Sequence, residues 1–550
     1  MTRPPVILVP GICGSFNLGV LLDWRGPTLN GWSFPPFIDY GKGFLEAFTK
    51  AGYTRDRDLF VAFYDWRKSV RDSANLYLRP WIERAKQRSG ASKVILIGHS
   101  MGGLVSRSYI QGSHYAGDVA QLITLGTPHR GAAAIYRAWG GGEPIADPTT
   151  KVVFDVYLWY LRHTNPFATG LDPLRTMRTQ VPSIRDLLAL DNFLLNEGGP
   201  PVPKQQRTMV ERNLVGEMLN QPVALDTLAG RVPVTTVSGI GFETISQIVV
   251  AGPPLPPGNP PRFPDGLPVR DLVDHDGDGS VLRTSARLEH PKITNRPPLN
   301  GAQHGALPDL PDVLHEVFAT LGLGTPVLGE APVTEPRLVI MTASPVTMTV
   351  EAPGGAPMQP SGILGAAPEG KRATRRKRRM QAKDHGHEGK HLNIVVIPQP
   401  TEGSYQVELE GTASGDFALG AMLISPEGTG TLLGGSDEAT EVNEATQPRD
   451  TPITTRYGRV AAGTRLFFEV RCSSLEAAPT VELDAQRTTE SAVERMQAAM
   501  GSDAPSGVIL GGGDSADQLD AMRQLAVERL ALSDPELAEA LVAQLQATRD

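Results

Sequence analysis

The chain has 550 residues, 52 Lys and Arg against 60 Asp and Glu, a formal net charge of −8, and two cysteines. This length predicts roughly two to four domains with ample material for a core, and the mild acidity argues against a dedicated nucleic-acid binder. Cys13 and Cys472 are too few and too distant for a disulfide framework, no run of about 18 apolar residues suggests a membrane helix, and no basic, apolar leader precedes the first strand. A cytoplasmic location follows by default, and an extracellular one if a leader has been removed.

Pro5-Val6-Ile7-Leu8-Val9 reads as a buried strand, and Pro10-Gly11-Ile12-Cys13-Gly14-Ser15 as a glycine-rich loop behind it. Trp24, Trp32, Phe34 and Phe37 then lie in an irregular stretch that suits either a docking surface or a folded-over loop with its own small core. Gly43 to Phe48 starts a helix, Leu59 to Phe63 is a strand, Ser69 to about Arg88 is a long helix, and Val94 to Ile97 is a strand. Strands alternating with helices predict a parallel sheet covered on both faces.

Gly98-His99-Ser100-Met101-Gly102 follows that last strand and opens a helix. A strand–serine–helix turn with glycine two residues to either side is the nucleophile elbow of the α/β-hydrolases. It nominates Ser100 as nucleophile, with the backbone N–H groups of Met101 and of Ile12 in the first loop as oxyanion donors. His99 should point away from the chemistry and pack under the turn. Leu122 to Leu125 is a further strand, followed by His129.

Residues 132 to about 230 break the alternation and read as an inserted cap before the strand Val232 to Val237. Within it, Val152 to Phe154 and Val156 to Leu161 suit either a cap core or a lid face and acyl-chain groove. The second reading makes Tyr157 and Trp159, with Trp66, candidate substrate contacts. Pro253 to Pro268 is expected to be an irregular loop.

Two further segments complete the chemistry. Asp278, in His275-Asp276-Gly277-Asp278-Gly279-Ser280-Val281, has the setting of a strand-end acid, with Asp276 as runner-up. His304 precedes Leu307, Leu310, Val313, Leu314 and Val317, which recur at helical spacing. A serine hydroxyl is a weak nucleophile at neutral pH, so it needs an imidazole to take its proton and a carboxylate to hold that imidazole. The chain order Ser, Asp, His matches this fold and disfavours His129 as base. Asp274-x-Asp276-x-Asp278-Gly279 also opens like a calcium loop, but Ser285 stands where that loop needs a glutamate. His290 and His315 read as surface or helix residues. No metal and no cofactor is expected.

Pro326 to Pro336 reads as a linker. Leu338 to Met341, Val346 to Val350, Leu392 to Val396, Tyr405 to Leu409 and Leu466 to Val470 then predict a small β-sandwich. The basic run 371–379, followed by His385, His387 and His391, reads as a solvated loop or a contact for an anionic surface. After about residue 490 the chain suits a helical hairpin whose last helix opens at Ser533-Asp534-Pro535-Glu536.

Four segments together resemble one family: Val9-Pro10-Gly11-Ile12-x-Gly14, Tyr64-Asp65-Trp66-Arg67, Gly98-His99-Ser100-Met101-Gly102-Gly103 and Asp276-Gly277-Asp278-Gly279-Ser280-Val281. The set is similar to the lecithin:cholesterol acyltransferase family, with its lysosomal phospholipase A2-like and phospholipid:acylglycerol acyltransferase-like members, over about residues 5–325. The resemblance implies an α/β-hydrolase with Ser100 as nucleophile, Asp278 as acid, His304 as base and Ile12 and Met101 as oxyanion donors. It further implies an ester-lipid acyl donor and a covalent acyl-enzyme. The expected organisation is a catalytic domain at 1–325 with its cap at 132–230, a β-sandwich at 335–485 and a helical tail at 490–550. The expected function is a serine lipase, phospholipase or O-acyltransferase on ester lipids or other hydrophobic esters, with peripheral contact to a lipid surface. The alternatives are a soluble carboxylesterase or polyester depolymerase, and a non-catalytic surface-binding protein.

Overall fold

A computed structural model describes residues 3–500, apart from 22–25, 37, 39, 144–147, 165–172, 199–202, 205–207, 252–261, 329–335, 344, 354–356, 359–391, 425–452, 461 and 474–478. Trp24, Phe37, the basic run 371–379 with its three histidines, and the tail beyond residue 500 therefore lie outside the described residues. Two compact units form: Met1–Leu158 with Gly170–Thr334, and Trp159–Thr169 with Glu335–Asp550. Among the described residues, no helix is long and apolar enough to cross a membrane.

The first unit is built on six parallel strands: β1 (Val6–Val9), β2 (Leu59–Val61), β3 (Val94–His99), β4 (Val119–Leu125), β5 (Val234–Val237) and β6 (Ile293–Asn295). Their order is β6-β5-β4-β3-β1-β2. The central strands are unbroken apolar runs because helices cover both faces of a parallel sheet; every residue of β1 and β3 is buried. Parallel strands end on one edge, so their following loops gather there. Pro10–Ser15 follows β1, Ser100 follows β3, and Gly126–Gly131 follows β4. This is an α/β-hydrolase sheet.

The long helix expected from Ser69 is one helical path with an internal change of pitch: Val70–Ser73, a π turn at Ala74–Leu78, then Arg79–Ser89. Ser69 caps it by accepting the N–H of Asp72. Pro80 offers no N–H and would crowd the carbonyl four residues earlier, and the widened turn before it makes the room.

Between β4 and β5 the chain forms helices Ile135–Gly141, Pro148–Thr164, Pro173–Gln180, Leu214–Leu219 and Pro222–Arg231. Also in the first unit is a sheet that the sequence reading did not anticipate, in the order Leu267–Asp274, Thr244–Ala251, Leu194–Asn196, Pro203–Lys204. The irregular loop expected up to Pro268 is corrected at its end, because Leu267 and Pro268 already pair with Ala251 and Val250. Leu267–Asp274 is only half buried and carries Pro, Arg and Asp, so it has no apolar run to signal a strand.

Tyr64-Asp65-Trp66-Arg67 grips the loop after β1. The Tyr64 hydroxyl donates to the Pro10 carbonyl at 2.7 Å and the Trp66 indole to the Ser15 carbonyl at 3.0 Å. Arg67 meets Asp65 through two nitrogens, at 2.8 and 2.9 Å, and also donates to the carbonyls of Leu21 and Val20. Both charges are buried, so their pairing and these carbonyls replace the water they lost.

In the second unit, four strands (Leu392–Pro398, Arg337–Ala343, Gly415–Ile424, Thr454–Val460) and five strands (Pro357–Met358, Val346–Glu351, Gly403–Gly411, Arg465–Cys472, Thr480–Leu483) form two antiparallel sheets. Leu338, Ile340, Phe417 and Leu419 of one sheet share a core with Val346, Val350, Val407 and Phe468 of the other, as in a sandwich. Helix Ala485–Met500 follows, starting before residue 490, with Asp484 accepting the N–H of Arg487 at its start.

Two stability predictions follow from the first unit. Arg67→Met leaves the buried Asp65 carboxylate with only the part-exposed Lys68 ammonium, 3.9 Å away, so chemical denaturation should show a loss of about 3 kcal/mol for this unit. Burial pushes Asp186 up to about 6, although its carboxylate accepts the N–H of Val70 at 2.8 Å. Its folded value lies above the unfolded one, so the stability it contributes is full below about pH 4 and lost as pH rises through 6. Asp186→Asn should therefore raise the melting temperature above pH 6 and have little effect near pH 4.

Candidate active site

Ser100 sits at φ 52°, ψ −128°, a conformation rarely adopted by residues other than glycine. Its N–H donates to the Leu125 carbonyl at 2.9 Å, and its carbonyl accepts the N–H of Gly103 at 3.0 Å. The glycines around it are a steric requirement. A Cβ on Gly98 would lie 2.6 Å from the Gly103 backbone, one on Gly102 would lie 2.1 Å from the Val9 oxygen, and one on Gly103 would lie 2.0 Å from Thr127 Oγ1. Helix Met101–Gln111 starts directly at the serine, with its positive dipole end and free N–H groups facing the turn.

His304 brings Nε2 to 2.9 Å from Ser100 Oγ and Nδ1 to 2.8 Å from Asp278 Oδ2. A carboxylate only accepts, which assigns the proton to Nδ1 and leaves Nε2 to accept from the serine. The other oxygen of Asp278 accepts the N–H groups of Ser280 and Val281 at 3.1 and 2.8 Å. The His304 N–H donates to the Asp278 carbonyl at 2.9 Å, so main chain and side chain fix the same pair. Asp276, the runner-up, instead pairs with Arg283 at 2.7 Å. Asp276 and Asp278 thus face different partners, and the calcium-loop reading loses its converging carboxylates.

Over Ser100 lies a cavity of about 70 Å3. Ile38, Pro128, Ala132, Ala134, Ile135, Leu187 and Val281 make its apolar wall, and Gly11 to Gly14, including Ile12, line the side toward β1. Met101 is buried at the head of its helix. The expected substrate contacts Trp66, Tyr157 and Trp159 are not among the lining residues, and each has another place. Trp66 is fully buried against Ser15, Phe154 and Tyr157. Tyr157 is buried too, with its hydroxyl 3.3 Å from Arg67. Trp159 belongs to the second unit, where its indole donates to Thr455 Oγ1 at 2.9 Å. The apolar stretch around Tyr157 and Trp159 made those two groove candidates, but the polar atoms of all three residues are committed to the protein itself.

Two other histidines are buried. His129 lies between Arg107, 3.1 Å from its Nδ1, and Thr124, 3.2 Å from its Nε2. Burial, then the Arg107 charge, hold it well below the usual histidine range. Arg107 is itself lowered to about 9 by burial, and donates to the Leu219 carbonyl at 2.6 Å. His99 is more than packing. Its Nδ1 lies 2.9 Å from the Tyr40 hydroxyl and its Nε2 lies 2.9 Å from the His304 carbonyl. Burial, then the neighbouring His304, push it well below the usual range. Tyr40 lines the cavity as well, and nothing in its irregular sequence surroundings singled it out.

A family model described as lecithin:cholesterol acyltransferase matches residues 40–149. An Arabidopsis thaliana phospholipase A(1), LCAT3, is 38% identical over 91 residues, 16% of this chain and 20% of that protein. A Homo sapiens lysosomal phospholipase A and acyltransferase is 30% identical over 142 residues, 25% of this chain and 32% of that protein. The chain thus spans between a fifth and a third of the length of these curated relatives. Among solved structures, a Bacillus licheniformis lipase, BlEst2, in its propeptide form aligns over 88% of this chain and 96% of its own, at 13% identity and a TM-score of 0.32. EstA from Clostridium botulinum aligns over 59% of this chain and 88% of its own, at 15% identity and a TM-score of 0.27. The chain is an α/β-hydrolase similar to the lecithin:cholesterol acyltransferase family, with the family match lying in residues 40–149.

Proposed function

We propose that this protein is a serine lipase, phospholipase or O-acyltransferase acting on ester lipids through Ser100, His304 and Asp278. The observation that carries the reading is the unbroken chain from Ser100 Oγ to His304 Nε2 at 2.9 Å and from His304 Nδ1 to Asp278 at 2.8 Å, beside an apolar cavity. Ser100 Oγ attacks the ester carbonyl carbon while His304 Nε2 takes its proton. The carbonyl oxygen becomes an oxyanion held by the N–H groups of Ile12 and Met101. His304 then returns the proton to the departing alcohol, and the acyl group stays on Ser100. Asp278 keeps the imidazole in its tautomer and stabilises the imidazolium.

Water resolves the acyl-enzyme to a fatty acid, and a bound alcohol resolves it to a new ester. The match to the lecithin:cholesterol acyltransferase family supports an ester lipid as acyl donor, with the acyl chain over the apolar wall and a lipid surface as its source. The second reading is a soluble carboxylesterase for short acyl chains, which the same triad geometry and apolar wall would serve equally.

Labelling with a fluorophosphonate, followed by peptide mapping, tests the serine. Stoichiometric label on Ser100 is expected, absent in Ser100→Ala and slowed by about 10³-fold or more in His304→Ala. A folded wild-type protein that takes no label, with or without detergent micelles, overturns the reading. A chain-length series of p-nitrophenyl esters separates the two substrate classes. The lipid reading expects kcat/KM to rise toward long acyl chains, and a maximum at acetate or butyrate favours the esterase.

A further inference from the structure

We propose that Tyr40 and His99 are positioning residues that hold the oxyanion loop and the backbone of the base in one register. The inference rests on the roles proposed above for Ser100, His304 and Ile12. A continuous hydrogen-bond chain joins the two segments. The Gly11 N–H donates to the Tyr40 hydroxyl at 3.2 Å, and that hydroxyl lies 2.9 Å from His99 Nδ1. His99 Nε2 lies 2.9 Å from the His304 carbonyl. A carbonyl only accepts, so Nε2 carries the proton. Nδ1 is then bare and accepts from Tyr40, whose oxygen is left free to accept from Gly11. One arrangement satisfies all four groups.

Both ends of the chain meet the chemistry. The Gly11 N–H anchors the peptide just before the one that carries the Ile12 N–H, and the Gly11 carbonyl of that next peptide accepts the Gly14 N–H at 3.1 Å, so the loop is held on both sides of Gly11. At the other end, the His304 peptide is held on both sides: its N–H by the Asp278 carbonyl and its C=O by His99. The Tyr40 and His99 rings are buried, with Phe34 edge-on to Tyr40 at 5.3 Å and the His304 ring 5.0 Å from His99. There is no slack on the loop side either: a Cβ on Gly11 would lie 2.9 Å from Ser100 Cβ and 3.2 Å from His99 Nδ1. Burial also keeps His99 neutral, so it places no positive charge beside the imidazolium that forms on His304.

Removing the Tyr40 hydroxyl leaves the Gly11 N–H and His99 Nδ1 unpaired in a buried site, and the loop shifts to recover a partner. A displacement of about 1 Å at the reacting centre costs about 100-fold in rate. Tyr40 and His99 border the cavity, but Tyr40→Phe keeps the ring and removes a single oxygen already committed to Gly11 and His99, so probe binding is preserved.

Fluorophosphonate labelling of the full chain, resolved into a saturating rate and a half-saturation concentration, tests this. Tyr40→Phe is expected to lower the saturating rate by about 10- to 100-fold at unchanged half-saturation, in a protein that still unfolds cooperatively at a modestly lower melting temperature. His99→Phe, which fills the ring volume without either nitrogen, should be comparably slow. His99→Gln, which restores an amide donor toward the His304 carbonyl, should recover part of the loss. Tyr40→Phe combined with His99→Phe should be no slower than His99→Phe alone, because one chain is broken in each. If Tyr40→Phe does not fold, the comparison of His99→Phe with His99→Gln decides in the same way. Wild-type saturating rates in these variants, or a loss confined to half-saturation, overturn the positioning role while leaving Ser100 labelled. A wild-type protein that takes no label overturns the proposed function and this role together.

Discussion

At Gly102 the helix after the nucleophile presses so close to β1 that a Cβ there would lie 2.1 Å from the carbonyl oxygen of Val9 and 2.5 Å from that of Pro10. Much of the site depends on this approach. It lets helix Met101–Gln111 begin directly against the loop after β1. It also obliges Ser100 to turn through a positive φ, which lifts the hydroxyl off the sheet edge and toward His304. The crowding of Gly98 and Gly103 continues the same contact on the sides facing Thr127 and the helix backbone. Strain at one residue is held in place by packing that admits no side chain around it.

Such a turn is only as well placed as the loops beside it, and here those loops are fixed by polar groups in a dry interior. Tyr64-Asp65-Trp66-Arg67 holds the first loop through the carbonyls of Pro10 and Ser15, and the short helix after it through those of Val20 and Leu21. The Asp65–Arg67 pair is fully formed and buried, and in such surroundings half of it would be worse than none. Arg107 and His129 are a softer case. Both lie beneath the surface with lowered proton affinity, tied to carbonyl, hydroxyl and amide groups as well as to each other. The distinctive four-residue string is therefore best understood as a clamp on the loop after β1, which is a reason for Trp66 to be buried.

Aromatic and apolar side chains are ambiguous in this chain. Val152 to Leu161 is one hydrophobic stretch in the sequence, but its members serve separate cores. Phe154 and Tyr157 pack with Trp66 in the hydrolase unit, and Trp159 meets Thr455 and Gly420 in the sandwich unit. Apolar composition specifies burial without specifying what does the burying. The wall over Ser100 is instead made of small and medium aliphatic groups spread over several loops, with no local pattern to mark them.

The sequence by itself determined five of the six parallel strands, the short Ile293–Asn295 going unmarked, together with the strand–serine–helix turn, the chain order of serine, acid and histidine, and the change to short alternating strands after residue 336. Each is written in local patterning: continuous apolar runs, glycine at a required spacing, or a period of two. Only the tertiary structure decided that Asp278 rather than Asp276 meets His304, and that Tyr40 joins His99. It alone also decided that a partly exposed antiparallel sheet accompanies the parallel one, and which side chains line the cavity. The physical reason is distance along the chain. Ser100 and His304 are 204 residues apart and Tyr40 and His99 are 59 apart, so these partners are chosen by where separate loops converge in space, and no local preference encodes that.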